Sequence, residues 1–79
     1  MSTRLTLQPV NADVLAVNTV EGLHVGNLKR IAMLWKFKAI GYSPDGALEP
    51  GGGPLTEQHN ALFDAPDEEA VNLRLGPHI

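Results

Sequence analysis

The stretch that decides the fold covers residues 35–54 and reads W-K-F-K-A-I-G-Y-S-P-D-G-A-L-E-P-G-G-G-P. It contains the only Trp and the only Tyr of the 79-residue chain, with three of its six Pro and five of its eight Gly. The first part alternates apolar and basic side chains, as a strand does, and the middle contains turn residues. The last part is too rich in Gly and Pro to form regular structure.

Residues 28–40, which overlap the start of this stretch, fit either a helix or a strand. A helix capped by Asn27 and ended by Gly41 would place apolar residues at helical spacing. In that helix, however, four basic side chains would spread around much of the circumference and leave no clean polar face. These side chains are Lys29, Arg30, Lys36 and Lys38.

A strand that begins at Leu34 separates the same side chains by character. One face then carries Trp35, Phe37 and Ala39, and the opposite face carries Lys36 and Lys38. The sequence therefore favours a central strand that follows a hairpin turn near residues 32–33.

Three further strands are predicted before the central strand. Residues 4–10 alternate apolar and polar side chains, and residues 14–20 are rich in β-branched side chains. Residues 23–31 form the third strand, in which Gly26 interrupts the alternation and indicates a bulge or a close approach of backbone. Pro9 has no N–H group, which predicts the end of the first strand or an edge position.

The chain after the central strand predicts a turn, a short strand and a loop. Residues 43–46 contain the Pro and Gly of a tight turn, and residues 47–49 can pair back onto the central strand. Residues 50–54 begin and end with Pro and contain three Gly. This loop is expected to separate the sheet from a helical segment.

Two short helices are expected in the helical segment, which covers residues 56–75. Thr56 is expected to cap a helix over residues 57–63. A second helix is expected to start within residues 64–67 and to run to about Leu75, before Gly and Pro stop it. The apolar side chains expected to face the sheet are Leu62, Phe63, Val71, Leu73 and Leu75.

These elements predict an α+β fold, an antiparallel β-meander of four to five strands with one or two short C-terminal helices packed on one face. The chain is expected to form a single small domain over residues 1–79, with strands within residues 4–50. A domain of this size buries a modest core, so self-association into a homodimer is expected to add stability.

The composition excludes several classes of protein. Six basic and nine acidic residues give a net charge of −3, which makes nucleic acid an unlikely partner. The chain has no Cys, and its His residues, at positions 24, 59 and 78, match no metal-ligand spacing, so no cofactor or metal is predicted. No apolar run is long enough to span a membrane, and the polar start lacks a signal peptide, which predicts no membrane association and a cytoplasmic location.

Charge is distributed unevenly along the chain. Four of the six basic residues lie within residues 29–38, and five of the nine acidic residues lie within residues 57–69. If the two segments pack together, their charges are expected to neutralise each other across adjacent elements.

The best candidate for ligand binding is the glycine loop with the residues that follow it. Glycine amides and a helix N-terminus together suit a phosphate or carboxylate, although the spacing matches neither nucleotide-binding fingerprint. The candidate residues are Gly51, Gly52, Gly53, Thr56, His59 and Asn60. The competing interpretation is a connector between sheet and helix, with His59 in a structural role.

The best candidate for partner binding is the basic side of the central hairpin. It would comprise Lys29, Arg30, Lys36 and Lys38, and it would suit an acidic partner. Trp35 and Phe37 are expected on the opposite face, so the basic side lacks the stacking aromatics of single-strand binders. A solvated polar face is the competing interpretation.

Two functions follow from these candidates. The first is a small non-catalytic interaction module that associates with itself or with a protein partner through a sheet edge or its basic face, since no nucleophile, acid pair or metal cluster is evident. The alternative is a small enzyme or anion-binding subunit that uses the glycine loop.

Overall fold

The structure, a computed structural model, describes residues 4–79. Residues 1–3, which are most of the polar start and bear on the expected lack of a signal peptide, lie outside this range. The strands are β1 (Leu5–Asn11), β2 (Val14–Thr19), β3 (His24–Ile31), β4 (Leu34–Tyr42), β5 (Leu48–Pro50) and β6 (Leu62–Phe63). The α-helix is α1 (Glu68–Leu75), and 3-10 turns cover Thr56–Gln58 and Gly76–His78.

The strands form one antiparallel sheet in the order β1-β2-β3-β4-β5, which is a meander. β6 also pairs with β4, on the edge that β5 uses, but at the other end of that edge. β5 pairs with residues 40–42 of β4, whereas β6 pairs with Trp35 and Lys36. The predicted α+β meander is therefore confirmed, with one α-helix after the sheet.

The central strand β4 alternates as predicted. Phe37 and Ala39 are buried in the core, and Trp35 packs against that core at its margin. Burial of a large apolar side chain such as Phe37 stabilises the fold by about 1.5–3 kcal/mol. Lys36 and Lys38 point to the opposite face and stay partly exposed. The helical alternative for residues 28–40 is excluded by the ladder of pairs between β3 and β4.

Position 26 is occupied by glycine for a steric reason. A Cβ atom at this position would lie 2.4 Å from the ring of Phe37, which passes directly over the glycine. The register between β2 and β3 also shifts beside Gly26. Val17 pairs with Gly26, but the next residue, Asn18, pairs with His24, so Val25 is the extra residue of a bulge. The bulge leaves Val25 buried in the same core as Phe37.

Helix α1 starts where the sequence predicts it. The Asp67 carboxylate accepts the N–H of Glu69 at 3.2 Å, which caps the helix. Val71 and Leu75 are fully buried against the sheet. The expectation that Leu73 also faces the sheet is wrong, because its side chain is 68% exposed.

The helix expected over residues 57–63 is not formed. A single 3-10 turn covers Thr56–Gln58, and Asn60 then adopts a positive φ of 75°. After this reversal the backbone pairs with β4, because Phe37 donates its N–H to the carbonyl of Ala61 at 2.8 Å. Sheet pairing supplies the hydrogen bonds that a helix would have made internally, so Leu62 and Phe63 become strand residues.

The free edge of β1 is blocked along its length. The Asn72 side chain of α1 accepts the N–H of Leu5 at 2.8 Å and donates to its carbonyl at 2.9 Å. Glu68 accepts the N–H of Leu7 at 3.2 Å. The next outward position is Pro9, which has no N–H to offer. This edge therefore does not suit the addition of another strand, contrary to one route of association that the sequence suggests.

Within residues 4–79, no helix combines the length and the apolar character that crossing a bilayer requires.

Candidate interaction face

The sheet has one face covered by α1 and an opposite face that carries three lysines. Lys29 of β3 lies directly opposite Lys36 of β4, and Asn27 lies directly opposite Lys38. We call the surface formed by Lys29, Lys36 and Lys38 the basic face. It exists because both strands keep strict alternation in this region, which places the three side chains on one side of the hairpin.

The lysines of the basic face form no ion pair with the residues that the structure describes. Within residues 4–79 the one ion pair joins Arg30 to Asp13. Lys38 Nζ donates instead to the neutral side-chain oxygen of Asn60, at 2.7 Å. Like charges directly opposite each other in a sheet are destabilising. The pairing of Lys29 with Lys36 is therefore unfavourable for the isolated chain.

Arg30, which the sequence grouped with these lysines, lies elsewhere. It pairs with Trp35 on the other face of the hairpin, and its Nε donates to Asp13 at 2.8 Å. Asp13 belongs to the turn between β1 and β2 and closes the end of the sheet. Arg30 is thus neutralised within the chain and does not contribute to the basic face.

The basic face continues into a polar network that the sequence did not reveal. The Nε2 atom of His24 is hydrogen-bonded to the Asn27 side-chain oxygen at 3.0 Å, and its Nδ1 atom is hydrogen-bonded to the Tyr42 hydroxyl at 3.0 Å. The rings of His24 and Tyr42 lie 6.3 Å apart between centroids. Asn27 also lies directly opposite Lys38 in the sheet, so this network adjoins the lysines.

Part of this network could have been found from the sequence. Tyr42 has the same parity in β4 as Lys36 and Lys38, so alternation alone places it on their face. His24 has the opposite parity to Lys29 and reaches that face only because the bulge shifts the register. The interruption at Gly26 indicates a bulge or a close backbone approach, but it does not show that the register shift carries His24 to this face.

The acidic segment does not neutralise the lysines. Asp64, Asp67, Glu68 and Glu69 lie at the end of β6 and the start of α1, and they are exposed. Helix α1 packs its buried residues onto the covered face of the sheet. The expected neutralisation across adjacent elements is not seen as ion pairs, because the one ion pair within residues 4–79 joins Arg30 to Asp13.

The glycine loop presses against β4. A Cβ atom on Gly53 would lie 2.3 Å from the carbonyl oxygen of Ile40, and one on Gly41 would lie 2.5 Å from the Gly53 nitrogen. Gly53 also has a positive φ of 83°. The loop crosses β4 with backbone against backbone, which only glycine permits.

The amides and side chains near this loop bind within the chain. The N–H of Gly51 donates to the carbonyl of Ala39 at 2.7 Å, and that of Gly52 donates to the carbonyl of Glu49 at 3.1 Å. The Thr56 hydroxyl donates to the Gly51 carbonyl at 2.5 Å. The candidate ligand residues therefore lie together, but these donors already have partners.

His59 and Asn60 complete the edge of β4 between β5 and β6. The N–H of Ala39 donates to His59 Nδ1 at 3.0 Å, and the N–H of Asn60 donates to the carbonyl of Phe37 at 2.7 Å. His59 thus fills a gap that neither strand reaches.

Within residues 4–79, no group of three or more His, Asp or Glu side chains is arranged to hold a metal ion. No buried side-chain nitrogen or oxygen in that range lacks a hydrogen-bond partner. The pKa of Asp45 is lowered, first by the Ser43 hydroxyl and then by the N–H of Ala47, both of which donate to its carboxylate. Asp45 lies in the β4–β5 turn, where this effect belongs to the turn itself.

Comparison with protein-family models found no match, and comparisons with curated proteins and with solved structures found no significant match either.

Proposed function

We propose that this chain is a non-catalytic interaction module that associates with itself and binds an acidic protein surface through its basic face. The observation that carries the proposal is the pairing of Lys29 with Lys36, with neither side chain in an ion pair among residues 4–79. An arrangement that is unfavourable in the free chain becomes favourable when acidic groups of a partner approach it.

The position of the face also supports this role. Helix α1 and the core lie on the other side of the sheet, so the lysines are accessible. The polar network of His24, Asn27 and Tyr42 extends the same surface with hydrogen-bonding groups. Polar groups of this kind provide orientation at an interface, while the lysines provide attraction.

A binding titration with poly-glutamate tests the proposal. Replacing both opposed lysines, in the variant Lys29→Gln/Lys36→Gln, is expected to weaken binding by roughly 2- to 30-fold, corresponding to two exposed charge pairs of about 0.2–1 kcal/mol each. Arg30→Gln is the matched control, because it removes a positive charge on the other face.

Two results would contradict the proposal. One is an equal loss of binding free energy per positive charge removed in the control and in the lysine variant, which would indicate a response to total charge alone. The other is tighter binding of a single-stranded oligonucleotide than of poly-glutamate at the same ionic strength, which would assign the face to nucleic acid.

The alternative function, an enzyme or an anion-binding subunit that uses Gly51, Gly52, Gly53, Thr56, His59 and Asn60, has weaker support. The amides of Gly51 and Gly52 and the hydroxyl of Thr56 already donate within the chain, so an anion would have to displace these bonds. A cytoplasmic location remains part of the proposal, and fractionation of cells that express the chain tests it.

A further inference from the structure

The hairpin between β3 and β4 ends in four exposed apolar residues. We call Ile31, Ala32, Met33 and Leu34 the tip. Met33 is 90% exposed, and Ile31 and Leu34 are also exposed large hydrophobics. Contiguous exposed apolar residues of this kind mark interaction sites more often than scattered ones do.

The tip extends past the neighbouring strands. The pairing of β2 with β3 ends where Val14 meets Lys29, and the pairing of β6 with β4 ends where Trp35 meets Phe63. The tip residues therefore have cross-strand partners only within their own hairpin, where Ile31 pairs with Leu34.

The turn at the tip is made from unfavourable residues. A two-residue hairpin turn normally uses Asn-Gly or Asp-Gly, because its backbone needs positive φ angles. Here the turn residues are Ala32 and Met33, and Ala32 adopts a φ of 57°. The chain keeps apolar side chains at a position where glycine or asparagine would relieve the backbone and improve solubility.

A cleft of about 420 Å³ opens between β6 and α1. Its apolar lining comes from Leu62, Phe63, Ala65, Ala70 and Leu73. Leu62 and Leu73 are both exposed there, although each is a large hydrophobic residue. We call this the β6–α1 cleft, and it has the apolar character that the tip requires of a binding site.

The cleft and the tip lie at the same end of the molecule. Leu62 lies directly opposite Lys36, two residues along β4 from Leu34. A two-fold axis beside this end would place the tip of each copy at the cleft of the other. Such a reciprocal contact closes on itself and buries two apolar surfaces at once.

The charges around the two features are complementary. Lys29 and Lys36 stand at the base of the tip. The cleft is lined by two acidic side chains, Asp64 and Asp67, and by one basic side chain, Arg74. Insertion of the tip would bring the uncompensated lysines of one copy towards the acidic side chains of the other. A second copy therefore supplies both the apolar site and the acidic groups that the basic face lacks.

We propose that two copies of this chain form a closed dimer in which the tip of each molecule enters the β6–α1 cleft of the other. This inference rests on the proposed function and identifies the acidic partner of the basic face as a second copy. Met33 is the side chain that inserts, and Leu73 is the cleft residue that receives it.

Sedimentation velocity on the wild type and three single variants tests this dimer. Wild type is expected to sediment as a dimer, and Met33→Glu and Leu73→Glu as monomers at the same concentration, because each places a charge in the apolar contact. Val10→Glu is the matched control, since Val10 is an exposed apolar residue outside both features and is expected to leave the dimer intact. Circular dichroism checks that all variants are folded.

Mixing the two monomeric variants provides a second readout. A mixed pair retains one intact contact, between the tip of the Leu73→Glu chain and the cleft of the Met33→Glu chain. A 1:1 mixture is therefore expected to associate, more weakly than wild type, although neither variant associates alone. A general loss of stability in either variant would not produce this recovery.

Three results would overturn the dimer. They are a monomeric wild type, a dimer that persists in the Met33→Glu variant, and a dimer that persists in the Leu73→Glu variant. If the wild type is monomeric and co-sediments with anionic vesicles while Met33→Glu does not, a lipid surface is the occupant of the tip. Persistence of poly-glutamate binding in a strictly monomeric wild type would remove this dimer and leave the basic face with another acidic partner. If the wild type neither dimerises nor binds poly-glutamate, the proposed function is overturned as well.

Discussion

His59 Nδ1 accepts the backbone N–H of Ala39 at 3.0 Å, in the place where a carbonyl of a neighbouring strand would normally lie. Ala39 stands in the part of β4 that is paired by neither β5 nor β6. On the same residue, the carbonyl accepts from the N–H of Gly51 at 2.7 Å. One side chain and one loop amide thus complete the edge of the central strand, and His59 has a structural role.

Replacing His59 tests this role. His59→Ala is expected to lower the free energy of unfolding by about 1–3 kcal/mol, because the N–H of the buried residue Ala39 loses its acceptor. His59→Gln offers a side-chain carbonyl and is expected to lose less. Urea denaturation measures both, with His78→Ala as a control at an exposed position near the C-terminus. If His59→Ala is no less stable than the control, the imidazole does not support the strand.

The glycine loop is expected to tolerate no side chain at Gly53. Gly53→Ala combines a left-handed backbone angle with a Cβ position 2.3 Å from the Ile40 carbonyl oxygen. Gly46→Ala is the matched control, because Gly46 has a similar φ of 88° but no atom within 4 Å of the added Cβ. We expect the control to lose about 1 kcal/mol of stability from backbone strain and Gly53→Ala to lose clearly more. Thermal unfolding compares the two, and equal losses would show that the loop is not tightly packed against β4.

The opposed lysines are expected to cost stability. Lys29→Glu converts a like-charge pair with Lys36 into an opposite-charge pair, so the free energy of unfolding is expected to rise by about 0.2–1 kcal/mol while binding to poly-glutamate falls. Lys38→Glu makes the same charge change opposite the neutral Asn27 and also removes the hydrogen bond to Asn60, so it is expected to add no stability. Denaturant titration of both variants at low salt gives the comparison. A less stable Lys29→Glu variant would mean that the lysines are not in conflict.

The β4–β5 turn is expected to weaken in acid. The folded-state pKa of Asp45 is depressed, first by the hydrogen bond from Ser43, so the turn gains stability above the ordinary aspartate value of about 3.9 and loses it as pH falls through the folded-state pKa. Ser43→Ala is expected to be less stable than wild type above this range and to converge on it in stronger acid. A stability difference between the two that does not change with pH would contradict this assignment.

The sequence predicted the meander well because alternation is strict in β4 and in the part of β3 that follows the bulge at Gly26. The charged residues Lys36 and Lys38 alternate with the apolar residue Phe37, which favours a strand over a helix. The structure places the lysines and Phe37 on opposite faces of β4, as expected. The start of α1 was predicted within residues 64–67, and the structure has Asp67 as the N-cap with Glu68 and Glu69 in the first turn, where the helix dipole favours acidic side chains.

The region after the glycine loop was predicted wrongly for a physical reason. Thr56 and the residues after it have the composition of a capped helix, and local sequence carries no record of a vacant strand edge nearby. β4 leaves its edge open at Phe37 and Ala39, and the chain satisfies that edge with His59, Asn60 and Ala61. Long-range pairing outweighs local helix propensity in such a case.

The candidate interaction face was predicted in part. Alternation places Lys29, Lys36 and Lys38 on one face of the sheet. Arg30 was wrongly grouped with them, because adjacent residues of a strand point to opposite faces and Arg30 follows Lys29 directly. The contribution of His24 depends on the bulge near Gly26 and could not be read from spacing. The proposed contact between the tip and the cleft depends on tertiary placement of Leu62 and Leu73, which no local pattern predicts.

Mapping of backbone amide shifts during a poly-glutamate titration tests the central claim most directly. The change in amide chemical shift of each residue is recorded by NMR at low salt, because the expected attraction is electrostatic and salt would screen it. Binding through the basic face predicts shifts centred on Asn27, Lys29, Lys36 and Lys38, and the same titration of Lys29→Gln/Lys36→Gln should lose them. Shifts confined to residues 51–60, or no shifts at any poly-glutamate concentration, would contradict it.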